Sequence, residues 1–446
     1  MTDRTLLFVS YLFPPTGGAG VQRALKFVKY LPLQGWHPTV LTVRQISAYV
    51  YDHSLLEEVP GGVDVVRTES LDPLRLSARL FAVRRPATVA DGAVRHHRFK
   101  IDSRLTRIYR SVRDLMMLPD AQLGWIPFAF RTGRAEIRSR RPSVILATSG
   151  PFSSAIIAYL LGKRTGIPYV LDFRDGWTDD PYLHVPTRLH RALHRRLESL
   201  ILKKAAAIVV YGTWLADRFR DRYPEVSGRI HVIPNGYDPA DLEGVVAAKT
   251  TQERFRLVHT GTLYKARRDN FLTFLAALQT LTEVERERLE VLVVGQVYES
   301  AQSDVDASGL DDVVTFIGYV SHAEALSYVV SAGGLLLFLP TGDVSSLSGK
   351  VFEYMMARRP IIACVEPGGG CASVLQEAGY ATAVVSPADP NAIAASISAL
   401  LAGCHDPVPH VDQVDRFSRV RQARQLADVL DGVACDAQSA WPAHGR

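Results

Sequence analysis

The chain has 446 residues, a formal net charge of +5 at pH 7, and 47% hydrophobic residues. This length exceeds what one hydrophobic core usually supports, so we expect two domains. No apolar run reaches the roughly 20 residues that cross a bilayer, and the first residues lack the pattern of a signal peptide. The four cysteines (Cys364, Cys371, Cys404 and Cys435) show no metal-ligand spacing, which predicts reduced thiols in a cytoplasmic protein.

The N-terminal half alternates between apolar runs and segments with helical periodicity, which predicts a parallel sheet built from βαβ units. Residues 45–140 interrupt this alternation, and we expect an insertion of helix and loop there. The predicted strands are Thr5–Tyr11, Thr39–Val43, Ser143–Thr148, Tyr169–Phe173, Ala207–Tyr211 and Ile230–Ile233, and the predicted helices cover about 21–31, 153–163 and 187–204.

The second half repeats the pattern after a turn at Pro234-Asn235-Gly236. We predict domains at 1–236 and 237–410, a helix over 411–433 that crosses back to the first domain, and a flexible tail at 434–446. The predicted strands are Arg256–His259, Glu290–Val294, Val313–Ile317, Leu335–Leu339, Pro360–Val365 and Ala381–Val385, and helices are expected at about 389–402 and 412–431.

The positive charge is concentrated between Arg75 and Arg113, where the sequence has eleven Lys and Arg residues but only two acidic residues, Asp91 and Asp102. Apolar residues follow directly after this stretch. Such a combination favours an anionic membrane surface or a lipid-linked acceptor, and a solvated helix face is the alternative. No nucleic-acid reader motif accompanies the charge, so we predict no nucleic-acid partner. We expect a cytoplasmic protein, with a peripheral position at the inner face of the membrane as an alternative.

The first glycine turn raises the question of a dinucleotide site. Gly18-x-Gly20-x-x-Arg23 lacks the third glycine of that motif, and Arg44 stands where an acidic residue would close the second strand. Both departures count against NAD, and an NADP site using Arg44 remains a minor alternative. The same turn suits a diphosphate that the backbone approaches closely, because glycine adds no side-chain bulk.

Metal chemistry has weak support in the sequence. His190 and His194 share a helix face but lack the glutamate of a zinc-protease motif. Asp304-x-Asp306 matches a metal-binding pattern of some sugar transferases, but it lies in a polar segment after a strand. We therefore predict neither a metal site nor a cofactor.

The stretch from Ser348 to Ala363 predicts a glycine turn, a short helix and a buried strand. The start of a helix gathers unpaired backbone N–H groups, which suits a phosphate. Lys350 adds a positive charge there, and Glu353 follows one helical turn later, where its carboxylate would accept hydrogen bonds from sugar hydroxyls. The alternative is a solvated Lys–Glu pair on a helix surface.

Several segments together resemble bacterial retaining glycosyltransferases of the large family 4. The resemblance covers about residues 5–45 and 120–405, and it implies an α/β protein with two Rossmann-like domains facing across a cleft, the GT-B fold. The motifs that carry it are Phe13-Pro14-Pro15-x-Gly17-Gly18, Lys26-Phe27-x-Lys29-Tyr30-Leu31-Pro32, Gly35-Trp36, Asp172-Phe173-Arg174-Asp175-x-Trp177, Pro234-Asn235-Gly236, His259-Thr260-Gly261-Thr262-Leu263-Tyr264 and Ser348-Gly349-Lys350-Val351-Phe352-Glu353-Tyr354.

The resemblance implies a nucleotide sugar bound mainly by the second domain and an acceptor bound mainly by the first. It makes Glu353 the ribose ligand, and it implies catalytic roles for Lys350, Arg267, Arg268 and Asp175. The further donor-binding residues that it implies are Gly17, Gly18, Gly20, Thr262, Tyr264, Lys265, Tyr319, Ser345, Ser348 and Gly349, and the acceptor-side residues are Ser149, Arg174, Asp175 and Trp177.

The sequence departs from the family at one position that matters for the donor sugar. The family pairs Glu353 with a second glutamate eight residues earlier, but that position is Ser345, and Asp343 is out of register. We expect Ser345, Ser346 and Ser348 to replace the missing contact. Thr262 also stands where many members have an arginine.

These observations predict a metal-independent glycosyltransferase that moves a sugar from a nucleoside-diphosphate sugar to an acceptor hydroxyl with retention of configuration. The acceptor would be a saccharide, a lipid-linked sugar or a small molecule, in the biosynthesis of a surface polysaccharide or glycoconjugate. Two alternatives remain open: a nucleotide-sugar epimerase, and a non-catalytic protein that binds nucleotide sugars.

Overall fold

The structure is a computed structural model, and it describes residues 4–44, 51–71, 118–179, 183, 185, 187–249, 254–380, 384–405 and 407–439. These residues form two compact units. One unit contains the described residues up to Pro234 together with those from Arg419 onward, and the other contains those from Asn235 to Ser418.

Among the described residues, the first unit has a parallel sheet of seven strands in the order β3-β2-β1-β4-β5-β6-β7. The strands are β1 (Thr5–Val9), β2 (His37–Val43), β3 (Asp64–Thr68), β4 (Val144–Ser149), β5 (Tyr169–Phe173), β6 (Ala207–Val210) and β7 (Ile230–Val232). The helices before residue 235 are α1 (Ala19–Tyr30), α2 (Ile126–Arg140), α3 (Ser153–Thr165), α4 (Arg188–Lys204) and α5 (Thr213–Arg222).

The second unit has a six-stranded parallel sheet in the order β10-β9-β8-β11-β12-β13 within the described residues. Its strands are β8 (Phe255–Thr260), β9 (Leu289–Val294), β10 (Val314–Gly318), β11 (Gly334–Phe338), β12 (Ile361–Cys364) and β13 (Val384–Val385). Its helices are α6 (Arg268–Thr280), α7 (Glu283–Glu287), α8 (Ala301–Ala307), α9 (His322–Ser331), α10 (Gly349–Ala357), α11 (Gly370–Glu377), α12 (Pro390–Leu401) and α13 (Val411–Asp415).

Each sheet is buried on both faces, which explains why the strands are almost continuously apolar. Along β1, Leu7 and Val9 pack into the cluster beneath α3, whereas Leu6 and Phe8 pack into the cluster formed with α1. The second unit has the same arrangement, because Val258 and Leu257 of β8 enter opposite clusters. The prediction of two Rossmann-like α/β domains is confirmed.

The stretch 45–140 contributes more regular structure than the sequence predicts. β3 pairs with β2 at the edge of the sheet, and α2 packs on the sheet through Ala129 and Ile137. The short strand β3 is only partly buried, so its sequence lacks the continuous apolar run of the inner strands. The predicted basic stretch at 75–113 lies outside the described residues.

The last described element is helix α14 (Arg419–Ser439), which belongs to the first unit. Leu426 and Leu430 of this helix pack against the cluster that contains Trp36, and Arg4 forms an ion pair with Asp431 at 2.9 Å. The structure thus has α13 and α14 where the sequence predicts one helix over 411–433, and α14 extends to Ser439 into the predicted tail. No helix in the described part of the chain is both long and apolar enough to cross a membrane.

Candidate active site

The strand order of the second unit places a crevice at the carboxyl ends of two neighbouring strands. The chain moves from β8 outward through β9 to β10, then returns to the other side of β8 with β11. In open α/β sheets, ligands bind at such a switch point. The loop after β8 carries Gly261 to Arg267, and the segment after β11 leads to α10 with Lys350 and Glu353. The topology therefore brings together the two motifs on which the prediction of a nucleotide site depends.

The side chain of Lys350 lies directly over Gly261. A Cβ atom built on Gly261 would stand 2.0 Å from Cε and 2.5 Å from Nζ of Lys350. Gly261 also has a φ of 94°, a conformation that L-residues with side chains rarely adopt. The glycine is thus required both by the backbone turn and by the approach of the lysine.

The Lys350 side chain is partly buried. Burial lowers the pKa of Lys350 to about 8; the Arg267 guanidinium acts in the same direction and the Glu353 carboxylate in the opposite one. Within the described residues its ammonium has no hydrogen-bonded partner. Two cations close enough for each charge to act on the other favour an anionic ligand.

Glu353 is half-buried, one helical turn after Lys350 on α10. Burial raises the pKa of its carboxyl, and Asp241 acts in the same direction, whereas His322 and Lys350 act against it. Among the described residues, no hydrogen-bond donor contacts this carboxylate. A partly buried carboxylate whose ionised form is disfavoured by its surroundings does not stabilise the fold, so its position is better explained by a ligand than by stability.

Two neighbouring residues, Tyr354 and His259, are held by hydrogen bonds within the second unit. Tyr354 Oη accepts a hydrogen bond from the backbone N–H of Thr260 at 2.9 Å. His259 is fully buried, and its Nδ1 lies 2.8 Å from the carbonyl oxygen of Leu336. Burial, helped by the Lys350 charge, lowers the pKa of His259 to about 3, so the ring is neutral at pH 7. His259 and Tyr354 both lie in motifs that carry the family resemblance, but the sequence predicts no role for either residue.

The two arginines at the start of α6 have different surroundings. Arg268 forms an ion pair with Asp304 at 2.7 Å, and Tyr298 also donates to this carboxylate at 2.7 Å. Arg267 donates to the carbonyl oxygen of Thr262 at 3.3 Å, and its guanidinium lies 5.6 Å from the centre of the Tyr264 ring. Arg267 also contributes to the lowered pKa of Lys350, which places its charge beside the crevice.

The loop before α10 is organised by Asp343. Its Oδ1 accepts hydrogen bonds from the backbone N–H groups of Ser345 (3.2 Å) and Ser346 (2.9 Å). This carboxylate is therefore used within the loop, where it accepts hydrogen bonds from the backbone. Ser348 is the N-cap residue of α10 but makes no side-chain capping bond, and a Cβ on Gly349 would meet open space.

The remaining predicted donor residues of the second unit lie at the surface. Tyr264 is 59% exposed and Tyr319 is 62% exposed, and Lys265 is exposed too. Tyr319 follows Gly318, whose φ of 84° turns the chain at the end of β10. Large aromatic side chains left open to solvent beside a crevice are candidates for stacking on a ligand.

In the first unit, Arg174 connects the segments that follow three strands. Its NH2 group donates to the carbonyl oxygen of Gly150 at 3.0 Å, and its Nε lies 3.2 Å from Oδ2 of Asp175. A Cβ on Gly20 would lie 2.1 Å from NH1 of Arg174. Gly17 and Gly18 lie between β1 and α1, Gly18 is the N-cap residue of α1, and Gly20 is the second residue of this helix.

Two of the predicted acceptor-side residues belong to the core. Trp177 is fully buried, stacks on Phe152 with ring centres 4.8 Å apart, and donates to Nδ1 of His194 at 3.1 Å. Ser149 is fully buried as well. Neither side chain reaches the surface of this unit, and Arg174 and Asp175 are the more accessible members of the predicted acceptor-side set.

The other acidic residue of this motif also has a structural position. Asp172 is fully buried and pairs with Arg23 through three contacts of 2.7 to 3.0 Å. Arg23 also donates to the carbonyl oxygens of Ile233 and Pro234, each at 2.9 Å. Thr148 donates to the same carboxylate at 3.0 Å. This network ties α1, β4, β5 and the segment after β7 together within the first unit.

Comparison with protein families matches both halves of the chain. Residues 17–236 match the model described as "Glycosyl transferase 4-like domain", and residues 254–403 match "Glycosyl transferases group 1". Among curated proteins, no relative matches the sequence.

Solved structures share the fold at low sequence identity. A glycosyltransferase from Rickettsia africae has a TM-score of 0.61 at 12% identity, covering 97% of this chain and 99% of its own. The lipopolysaccharide outer core galactosyltransferase WaaB has a TM-score of 0.56 at 11% identity, with 96% and 99% covered. A sucrose-phosphate synthase from Thermosynechococcus elongatus has a TM-score of 0.53 at 15% identity, with 98% of each chain covered. The family matches and the fold together identify the chain as a glycosyltransferase of the GT-B type.

Proposed function

We propose that the chain transfers a sugar from a nucleoside-diphosphate sugar to an acceptor hydroxyl, with retention of configuration and without a metal ion. The observation that carries this proposal is the crevice of the second unit. There Lys350 lies over Gly261, and the carboxylate of Glu353, one turn further on, has no hydrogen-bonded partner among the described residues. The cation would bind the diphosphate and the carboxylate would accept hydrogen bonds from the ribose hydroxyls.

The chemistry of the step explains the need for these cations. When the bond between the sugar C1 and the diphosphate oxygen breaks, its electron pair goes to that oxygen, and negative charge builds on the β-phosphate. Lys350, Arg267 and the backbone N–H groups at the start of α10 would stabilise this charge. We assign the second cation to Arg267 rather than Arg268, because Arg268 is engaged by Asp304.

Retention requires the acceptor oxygen to approach C1 from the face that the diphosphate leaves. The new bond from C1 to the acceptor oxygen then forms on that face, and the hydroxyl proton passes to an oxygen of the departing diphosphate. No separate base is needed for this transfer. Asp175 is 54% exposed beside Arg174, and we propose that these two side chains position the acceptor.

The loop before α10 would contact the donor sugar and so determine which sugar is bound. Asp343 is engaged by the backbone of Ser345 and Ser346 and by the Ser345 hydroxyl at 3.3 Å, so the contacts to the sugar would come mainly from the hydroxyls of Ser346 and Ser348. Tyr319 would lie near the base, and Tyr264 and Lys265 near the diphosphate.

We further propose membership of the retaining family 4 and a role in making a surface polysaccharide or another glycoconjugate in the cytoplasm. The acceptor would be a saccharide, a lipid-linked sugar or a small molecule. Fold neighbours include a galactosyltransferase of the lipopolysaccharide outer core, and this supports a polymeric or lipid-linked acceptor among the three.

The experiment is an incubation with a panel of nucleotide sugars, followed by detection of free nucleoside diphosphate and free sugar. Transferases hydrolyse their donor slowly when no acceptor is present, so one donor should release its diphosphate. Lys350→Met and Glu353→Ala should abolish this release without unfolding the protein. Release that is unchanged in both variants would contradict the assignment of the site.

The epimerase alternative has one supporting observation. A structure described as a putative UDP-N-acetylglucosamine 2-epimerase from Listeria monocytogenes shares the fold with a TM-score of 0.53 at 11% identity, covering 97% of this chain. An epimerase would convert its nucleotide sugar without any acceptor and would form a second sugar epimer. A non-catalytic binding protein would bind the nucleotide and release no diphosphate. The same incubation therefore separates the three functions.

A further inference from the structure

Helix α4 of the first unit exposes a cationic face that the proposed reaction does not use. The only acidic residue of this helix is Glu198, which is fully buried. Its carboxylate accepts hydrogen bonds from the backbone of Thr178 and from the hydroxyl of Tyr223, each at 2.9 Å. No acid of the helix therefore reaches its outer face, where the exposed cations are Arg188, Arg191, Arg195, Arg196, Lys203 and Lys204.

Most of these cations are not neutralised by neighbours. Lys203 forms an ion pair with Glu225 at 2.7 Å. For the other five, the described part of the chain supplies no ion pair and no side-chain hydrogen bond. Long cationic side chains crowded on one face repel one another, which favours the binding of an anionic surface.

Two leucines are exposed on the same helix. Leu189 is 66% exposed and Leu200 is 44% exposed. They are separated by about three helical turns at about 3.6 residues per turn, so they point to nearly the same side. Leu193, between them, is half-buried. Arg196 and Lys204 lie within about 60° of this apolar row around the helix, at about 100° per residue, whereas Arg191 and Arg195 lie about 120° or more from it.

We propose that α4 binds the surface of an anionic lipid bilayer. Its arginines would contact the lipid headgroups, and Leu189 and Leu200 would enter the boundary between headgroups and acyl chains. Basic and apolar residues combined on one helix face are typical of helices that lie in this interface. A nucleic acid is a poorer match, because the helix carries no Phe, Tyr or Trp on which bases would stack.

This inference goes beyond the proposed sugar transfer and does not depend on it. It also differs from membrane binding by the basic stretch at 75–113, which lies outside the described residues. The two segments are distinguished by variants of α4 alone, since the full chain keeps 75–113 unchanged.

The test is co-sedimentation of the full chain with vesicles, in the absence of any nucleotide. Vesicles of phosphatidylcholine alone are compared with equimolar phosphatidylcholine and phosphatidylglycerol, at low and high salt. The wild-type protein should sediment with the anionic vesicles only, and salt should weaken the binding. The double variant Arg196→Glu/Lys204→Glu should bind roughly tenfold more weakly or worse, since four units of charge change beside the two leucines.

A matched control changes the same charge elsewhere in the same unit. Arg131 and Arg138 are exposed on α2, and Arg131→Glu/Arg138→Glu should retain most of the binding. Equal losses in both double variants would indicate a general charge effect and overturn the proposal. Unchanged binding in the α4 variant would assign the membrane contact to another segment and overturn it as well.

The leucines are tested separately. Leu189→Ser/Leu200→Ser should weaken binding to anionic vesicles several-fold while leaving its salt dependence unchanged, because the charges are retained. Binding equal to wild type would contradict the insertion of α4. Circular dichroism verifies that each variant is folded, and the exposed positions of all six substituted residues make folding the expected result.

Discussion

Lys350 occupies the space that a side chain at residue 261 would need, with its Cε 2.0 Å from the position of a Cβ on Gly261. Gly261→Ala should therefore displace the lysine and lower the affinity for a nucleoside diphosphate tenfold or more, equal to about 1.4 kcal/mol. Gly309→Ala is the matched control, because Gly309 also has a positive φ of 62° but open space around its Cα. Titration of each variant with UDP, GDP and dTDP measures the difference. Equal affinity in the two variants would contradict the role of Lys350.

The affinity for the nucleotide should depend on pH through Lys350. The protonated amine binds the diphosphate, and its pKa in the free protein is about 8. The affinity should therefore be greatest below pH 8 and decrease as the pH rises through that value, because an increasing fraction of the lysine is neutral. The phosphate itself is fully ionised by pH 7, since its second pKa is about 6. Lys350→Arg should remove the decrease above pH 8, and a decrease that persists in this variant would assign it to another group.

Removing the charge of Glu353 should weaken nucleotide binding without lowering the stability of the protein. Its pKa is raised above 4.5 in the folded protein, so the folded state holds the proton more tightly than the unfolded chain does. The free energy of unfolding contributed by this group consequently decreases as the pH rises through the folded-state pKa. Glu353→Gln should remove this destabilisation, leaving the melting temperature at pH 7 equal or higher while nucleotide affinity falls tenfold or more. A variant that loses both stability and binding would indicate a structural role instead.

Arg267 and Arg268 provide a comparison between neighbouring arginines. Arg267→Ala should weaken nucleotide binding about tenfold, because its charge lies near Lys350. Arg268→Ala should leave binding within about twofold and affect mainly the contact with Asp304, an ion pair on the protein surface worth about 1 kcal/mol or less. Calorimetric titration measures both affinities. The reverse ranking would move the diphosphate site toward Arg268.

The buried pair of Arg23 and Asp172 should dominate the stability of the first unit. Removing one partner leaves the other charge buried, which typically costs about 3–5 kcal/mol. Asp172→Ala should therefore lower the unfolding midpoint strongly, whereas Glu69→Ala, which breaks the exposed pair with Arg44, should cost less than about 1 kcal/mol. Urea denaturation followed by circular dichroism gives both values. Similar midpoints for the two variants would contradict the structural role of Asp172.

The sequence was sufficient to predict most inner strands, because both faces of these strands are buried and their apolar runs are unbroken. β5 has the predicted bounds Tyr169–Phe173, and most other predicted strands agree to within two residues. β3 was missed because an edge strand with partly exposed residues lacks such a run. Helix α2 was missed because Pro127 and several arginines obscure its apolar face.

Some residues of the candidate site can be predicted from the sequence and others cannot. The physical reason differs from residue to residue. Lys350 and Glu353 lie in one short segment, a glycine turn followed by a helix. The sequence alone therefore predicts them as candidate site residues. The burial of Trp177 depends on Phe152 and His194, which are distant in sequence, and nothing local distinguishes a buried tryptophan from one that contacts a ligand. The pairing of Arg268 with Asp304 likewise depends on the packing of α6 beside α8.

The most direct test of the nucleotide site is thermal unfolding of the wild-type protein and Glu353→Gln with UDP, GDP and dTDP and with their sugar conjugates. A ligand that binds only the folded state adds about 2.7 kcal/mol at about 100 times its dissociation constant. We predict that one diphosphate raises the melting temperature of the wild-type protein, that one of its sugar conjugates raises it further, and that Glu353→Gln shows neither shift. No shift with any nucleotide, or equal shifts in both proteins, would contradict the assignment of the crevice beside Lys350 and Glu353 as the donor site.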